Sequence, residues 1–166
     1  DQVVMLSPDK DLCQVVESNH IVSYDRLRQR LMNEAGVWEK FGVAPESIPD
    51  YLALVGDNAD GLPGIPSWGA KSASVLLAEY RHIEHIPADE REWKVTVRGA
   101  ARLGENLREH IDEAHLFRTL TTLRYDVPIE ESLADLEWQG VPRQQYLDFC
   151  DELGFDSVKE RPHRWH

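Results

Sequence analysis

The sequence predicts an α/β fold that becomes largely helical after its first strands, on three observations. Val3 to Leu6 is an unbroken apolar run between polar neighbours, the pattern of a strand buried on both faces of a parallel sheet. HIVSY, residues 20–24, is a second short strand. Between them, Ser7 suits an N-cap, Pro8 a first helical turn, and Leu12, Val15 and Val16 share one helical face. The turn after Leu6 lies at the carboxyl end of a strand, where open α/β sheets build their sites.

The remaining elements follow from periodicity and breakers. Asp25 to Gln29 reads as a polar connection and Arg30 to Phe41 as a helix, with Leu31, Ala35, Trp38 and Phe41 on one side and Gly42 closing it. Pro45, Ser47 and Pro49 mark a boundary before an apolar helix over Asp50 to Val55. Gly56 to Gly69 holds too many glycines and prolines for a regular element. From Ala70 to Tyr80 the helical period returns through Ala73, Leu76, Leu77 and Tyr80. Val95 to Leu123 is mostly helical with a break near His110, and Arg98 and Arg102 form a small basic patch or two solvated arginines. Pro142 opens a last helix that carries Tyr146, Phe149, Cys150 and Leu153 on one face, and RPHRWH is expected to fray.

A chain of 166 residues with 42% hydrophobic and 29% charged content suits a soluble globular protein of one or two domains. No apolar run is long enough for a membrane span, so no membrane partner is expected. Cys13 and Cys150 read as free thiols of a cytoplasmic protein. The net charge of −12 argues against a non-specific nucleic-acid binder, which usually presents a basic face. A local basic patch, or basic residues outside this chain, would answer that objection.

Three constellations carry chemistry. In Asp9-Lys10-Asp11, two carboxylates two residues apart point the same way if the chain is extended, as a hard-oxygen site for Mg²⁺ or Mn²⁺ requires. The same residues also suit an ordinary first helical turn. Asp57 and Asp60, in GDNADG, converge in a turn or merely stabilise it. An EF-hand is excluded: with Gly61 at its sixth position, Gly56 and Ser67 stand where acids are needed. Four aspartates with no zinc-like Cys/His spacing suit paired ions that activate water against a phosphodiester. In GLPGIPSWGAKS, Gly64 and Gly69 allow close backbone approach, and the N–H groups of Gly69, Ala70 and Lys71 open a helix where an anion is favoured. The spacing is not that of a Walker A loop, because Ala70 separates Gly69 from Lys71.

VVMLSPDKDLCQVV followed by WEKFGVAPESIPDYLALVGDNADGLPGIPSWGAKSASVLLAEY resembles the bacterial 5′-nucleases. These are the 5′→3′ exonuclease domains of family A DNA polymerases and their stand-alone relatives, similar to flap endonucleases. The resemblance is strong over residues 2–80 and holds in outline to residue 166. It implies the C-terminal part of a PIN-like (resolvase-like) nuclease sheet, residues 1–46, a helix-hairpin-helix (H3TH) DNA-binding domain, 47–125, and a C-terminal extension, 126–166.

By the same resemblance, Asp9, Asp11, Asp57 and Asp60 fall on catalytic metal-binding aspartates for Mg²⁺ or Mn²⁺. The segment Gly64, Ser67, Trp68, Gly69, Ala70, Lys71 and Ser72 falls on the DNA-gripping hairpin, with K⁺ at the carbonyls of Gly64 and Ile65. The implied function is 5′→3′ exonuclease or flap endonuclease action on DNA with a 5′ end or flap, with a DNA polymerase as partner. The alternative is a non-catalytic duplex-binding module. Two departures bear on this. PSWGAK stands where relatives commonly carry PGIGPK, so Ser67 and Trp68 are expected to stiffen the hairpin. The family's N-terminal half, with its early Asp and first acidic cluster, has no counterpart here, so the chain alone is expected to cleave flaps poorly.

Overall fold

The computed structural model describes residues 2–166. One compact unit ends at Arg124, and a second runs from Tyr125 to His166. The first opens with a three-stranded sheet of β1 (Val3–Met5), β2 (Ile21–Asp25) and β3 (Arg30–Met32), in that order. β1 runs parallel to β2 with Val4 beside Val22, and β2 runs antiparallel to β3 with Tyr24 beside Leu31. The helices α1 (Glu34–Phe41), α2 (Ile48–Val55), α3 (Ala70–Tyr80), α4 (Ala100–Glu109) and α5 (Ile111–Thr121) complete it. Among the described residues, no helix is long and apolar enough to cross a membrane.

The parallel β1–β2 pair is as expected, but β1 is not buried on both faces. Val3 and Val4 are 52% and 44% exposed, because β1 lies at the edge of the sheet. No α-helix follows Ser7 either. The Asp9 carboxylate takes the N–H of Asp11 at 3.0 Å, and this local bond diverts the chain into a short 3₁₀ turn, Asp11–Val15.

Residues 30–41 form a strand and a helix rather than one helix. The Asp25 carboxylate accepts the N–H groups of Leu27 and Arg28, both at 3.0 Å, which closes a turn and sends β3 back along β2. Asn33 then caps α1 by accepting the Gly36 N–H at 2.9 Å. The apolar pattern misled because Leu31 and Trp38 face solvent while Val37 and Phe41 enter the core. Gly42 does end α1 in the left-handed conformation, donating to the Trp38 carbonyl.

α2 is the hub. From Ile48 to Leu54 every residue is buried, as a helix apolar on all sides requires, and it packs against α3 and α5. One charge lies in that core. The Asp50 carboxylate accepts the Ile83 N–H at 3.2 Å, meets His82 Nδ1 at 2.9 Å and pairs with Arg118 at 3.3 Å. Arg118 also reaches Glu84. A buried carboxylate persists only with such partners, and here they tie α2, α5 and the turn Ile83–His85 together.

α3 spans the expected residues and buries Ala73, Leu76 and Leu77. The break between α4 and α5 falls at His110. In the second unit, α6 (Arg143–Leu153) buries Cys150 while Phe149 and Leu153 stay about half exposed. The tail is paired instead of frayed. His166 N–H donates to the Val141 carbonyl at 2.8 Å, and Val141 N–H to Arg164 at 3.0 Å. A Cβ on Gly140, where φ is +119°, would lie 2.9 Å from the Trp165 backbone, so that close approach needs glycine.

Candidate metal centre and nucleic-acid interface

The 3₁₀ turn after β1 and the loop after α2 bring three of the four expected aspartates together. Carboxylate oxygens of Asp11, Asp57 and Asp60 lie within 4.8 Å of one another. The loop achieves this by closing on itself. Asp57 and Leu62 exchange backbone hydrogen bonds of 2.9 and 2.8 Å, and the Asp57 carboxylate takes the Ala59 N–H at 3.0 Å. Gly56 and Gly64 make the closure possible: a Cβ on Gly64, at φ +72°, would lie 2.5 Å from the Gly56 nitrogen.

Asp9 stands apart from that trio. The 3₁₀ turn replaces the extended chain that would have aligned it with Asp11, and its carboxylate instead holds the Asp11 N–H. It still lines the same cavity, of about 580 Å³, as Asp57 and Asp60. Lys10, between the two aspartates, reaches across to pair with Asp57. The sequence reading gave Lys10 no role, although its place inside DKD is a signal that its ammonium stays near the carboxylates. Arg28, Arg30 and Lys40 also line the cavity, and no sequence signal marked them. Their position depends on β3, which the periodicity concealed.

The carboxylates carry different charge burdens. Burial, then the negative charges of Asp9, Asp60 and Asp57, push the Asp11 carboxyl up to about 6. Burial and the neighbouring Asp57 also raise Asp60. Burial would raise Asp57 too, but the Lys10 ammonium and the Ala59 N–H hold it below the ordinary carboxylate range. One Asp11 oxygen is buried without a hydrogen-bond partner. An orphaned buried carboxylate oxygen, beside two further carboxylates and a lysine already neutralising one of them, fits a hard divalent cation. The all-oxygen donor set suits Mg²⁺ or Mn²⁺ better than a softer metal.

The hairpin lies on the far side of Gly64. Ile65 N–H donates to the Leu54 carbonyl at 2.9 Å, and its own carbonyl accepts the Trp68 N–H at 3.0 Å. Ser67 is exposed and left-handed at φ +69°, a conformation that residues other than glycine rarely adopt. Trp68 points inward. It is 6% exposed and its indole N–H donates to the Leu103 carbonyl at 3.1 Å, so its side chain braces the hairpin from below. Asn106 adds a second tie, donating to the Pro66 carbonyl at 2.6 Å. The Gly69 N–H is taken by the Ser72 hydroxyl at 3.1 Å. The N–H groups of Ala70 and Lys71 open α3 and have no acceptor within the helix. Both residues are exposed.

Residues 43–144 match the family model described as 5′-3′ exonuclease, C-terminal SAM fold. The chain is 34% identical over 165 residues to DNA polymerase I of Bacillus caldotenax, spanning 96% of this chain and 18% of that protein. It is 38% identical over 157 residues to a 5′-3′ exonuclease of Aquifex aeolicus, spanning 95% of this chain and 51% of that protein. The chain therefore spans about a fifth to a half of the length of these relatives. Among solved structures, the phage T5 5′-exonuclease with bound divalent zinc superposes with a TM-score of 0.60 at 18% identity, over 73% of this chain and 43% of that one. A T5 flap endonuclease complex with DNA and metal ions superposes equally well, at 0.60 and 17% identity over the same shares. At that identity the likeness is one of fold.

Proposed function

This chain belongs to the 5′-3′ exonuclease family, and from that premise we propose that it serves metal-dependent hydrolysis of DNA phosphodiesters near a 5′ end or flap. The observation that carries the proposal is the convergence of Asp11, Asp57 and Asp60 from separate segments around an unpartnered buried Asp11 oxygen. These three hold Mg²⁺ or Mn²⁺, and Asp9 sets the turn that presents Asp11. A divalent cation supplies Lewis-acid activation of a phosphodiester when bound. Lys10 keeps Asp57 ionised, the state in which it would hold a cation. The exposed Ser67, Ala70 and Lys71, with the half-buried Gly69 and Ser72, grip the duplex through its phosphates, with K⁺ at the Gly64 and Ile65 carbonyls, so sequence preference is weak. Trp68 supports the grip from the core side. A DNA polymerase is the proposed working partner, as in the polymerase relatives.

The Lys10–Asp57 pair favours a second reading. A lysine that already neutralises the site suits a non-catalytic module that only docks duplex DNA. Incision of a 5′-flap duplex in Mg²⁺ decides between them, scored against Asp57→Asn so that even slow cleavage is informative. Ion-dependent incision lost in Asp57→Asn is the expected result. Duplex binding with no ion-dependent incision supports the module, and incision equal in both proteins overturns the metal role.

A further inference from the structure

An acidic chain that handles nucleic acid must keep some cations clear of carboxylates. Most cations of the first unit are not clear: Arg81 stands on Glu46, Arg108 on Glu90, and Arg118 on Asp50 and Glu84. Among the described residues, Lys71 and Arg98 stand in no ion pair, nor do Arg26, Lys40 and Arg102, and what sets Lys71 and Arg98 apart is that they share one hollow. Both are exposed, and both line one cavity of about 580 Å³ between the hairpin and the segment that leads into α4. Among the described residues no carboxylate lines it, whereas the metal-site cavity carries Asp9, Asp57 and Asp60. Its remaining polar lining is hydroxylic, from Ser67, Ser72 and Thr96.

The two walls are also held in fixed register. The Trp68 indole bonds to Leu103 and Asn106 bonds to Pro66, so the hairpin is tied to α4 itself. Arg98, two residues before α4 begins, lines the same hollow as Lys71, next to that braced joint. Two cations and three hydroxyls around a carboxylate-free hollow form a seat for phosphate oxygens.

We infer that this hollow is a second phosphate seat for the nucleic-acid backbone, with Arg98 as its charged group. The inference rests on the reading of the hairpin as the duplex grip, and extends that grip to a wall 27 residues further along the chain, from Lys71 to Arg98. Arg102 lies in the first turn of α4, outside the lining of the hollow.

The test is a fluorescence-anisotropy titration of a labelled 20-base-pair DNA duplex with the 166-residue chain at several salt concentrations. Each phosphate contact contributes about 0.9 to the slope of log K against log salt, so Arg98→Ala is expected to lower that slope by about 0.9 and weaken binding roughly tenfold at ~0.1 M salt. Lys71→Ala reports on the hairpin by the same measure. Arg98→Lys should keep the slope, and Arg26→Ala, an exposed arginine outside the hollow, should leave binding unchanged. If Lys71→Ala lowers the slope and Arg98→Ala does not, the second seat is overturned and the hairpin reading stands. If neither changes it, both are overturned. If Arg26→Ala costs as much as Arg98→Ala, the effect is one of overall charge and the seat is overturned.

Discussion

The indole N–H of Trp68 donates to the carbonyl of Leu103 at 3.1 Å, 35 residues away, and fixes the hairpin to α4. A bulky aromatic in a loop that must approach a phosphate backbone looks misplaced in the sequence. In the structure it is a peg, buried among core residues and leaving Ser67 and Lys71 outside. Trp68→Ala is expected to destabilise the protein by about 3–5 kcal/mol through the cavity it leaves, and Trp68→Phe by much less. Urea unfolding of both variants checks this. Duplex affinity should fall with Trp68→Ala even under conditions where the variant remains folded, because the hairpin loses its brace.

Asp50 is the largest electrostatic commitment in the core. Its carboxylate serves the Ile83 N–H, His82 and Arg118 together. Removing one member of a buried, hydrogen-bonded set costs about 3–5 kcal/mol, so Asp50→Ala should lower the urea midpoint strongly. A loss below ~1 kcal/mol would show that the set is not shielded as its burial implies.

Asp11 makes stability depend on pH when no metal is bound. Its folded carboxyl titrates near 6, above the ordinary 3.8, so the protonated form is favoured in the folded chain. The stabilising contribution is therefore full below the unfolded value and is lost as pH rises through about 6. In chelator, Tm should fall between about pH 4 and pH 6 and level off above that, and Asp11→Asn should flatten the fall. Asp57 acts in the opposite sense, but only as pH drops below its ordinary 3.8, outside this window.

Lys10 is placed on Asp57, where it would compete with a bound cation. Lys10→Met should lower Tm in chelator, because it leaves the buried Asp57 carboxylate without its ammonium. The same variant should bind Mn²⁺ severalfold more tightly and recover Tm as the ion is added. Calorimetric titration and thermal melts check both halves, and weaker Mn²⁺ binding would assign Lys10 a supporting role at the ion.

Much of this arrangement was legible in the chain. The bounds of α3, Ala70–Tyr80, follow from its apolar period and from the glycine-rich stretch before it. The glycine-rich turn allowed Asp57 and Asp60 either to converge or merely to stabilise the turn, and the structure shows them converging. What stayed hidden depends on contacts between segments distant in sequence or on side chains bonding their own backbone. β3 was concealed because Leu31, Trp38 and Phe41 imitate a helical face, while the turn that creates the strand is held by the Asp25 carboxylate rather than by glycine or proline. Asp9 was misaligned for the same kind of reason, its carboxylate bending the chain at Asp11. The inward turn of Trp68 needs Leu103, and no local pattern connects the two.

The central claim is that Asp11, Asp57 and Asp60 form a divalent-cation site, and a Mn²⁺ titration followed by electron paramagnetic resonance tests it most directly. The account predicts saturable Mn²⁺ binding by the 166-residue chain, weakened at least about tenfold in Asp57→Asn and in Asp11→Asn, while Asp89→Asn, at a half-buried carboxylate paired with Arg91 outside the group, leaves it unchanged. Equal Mn²⁺ affinity in the unaltered chain and in both cluster variants would contradict it.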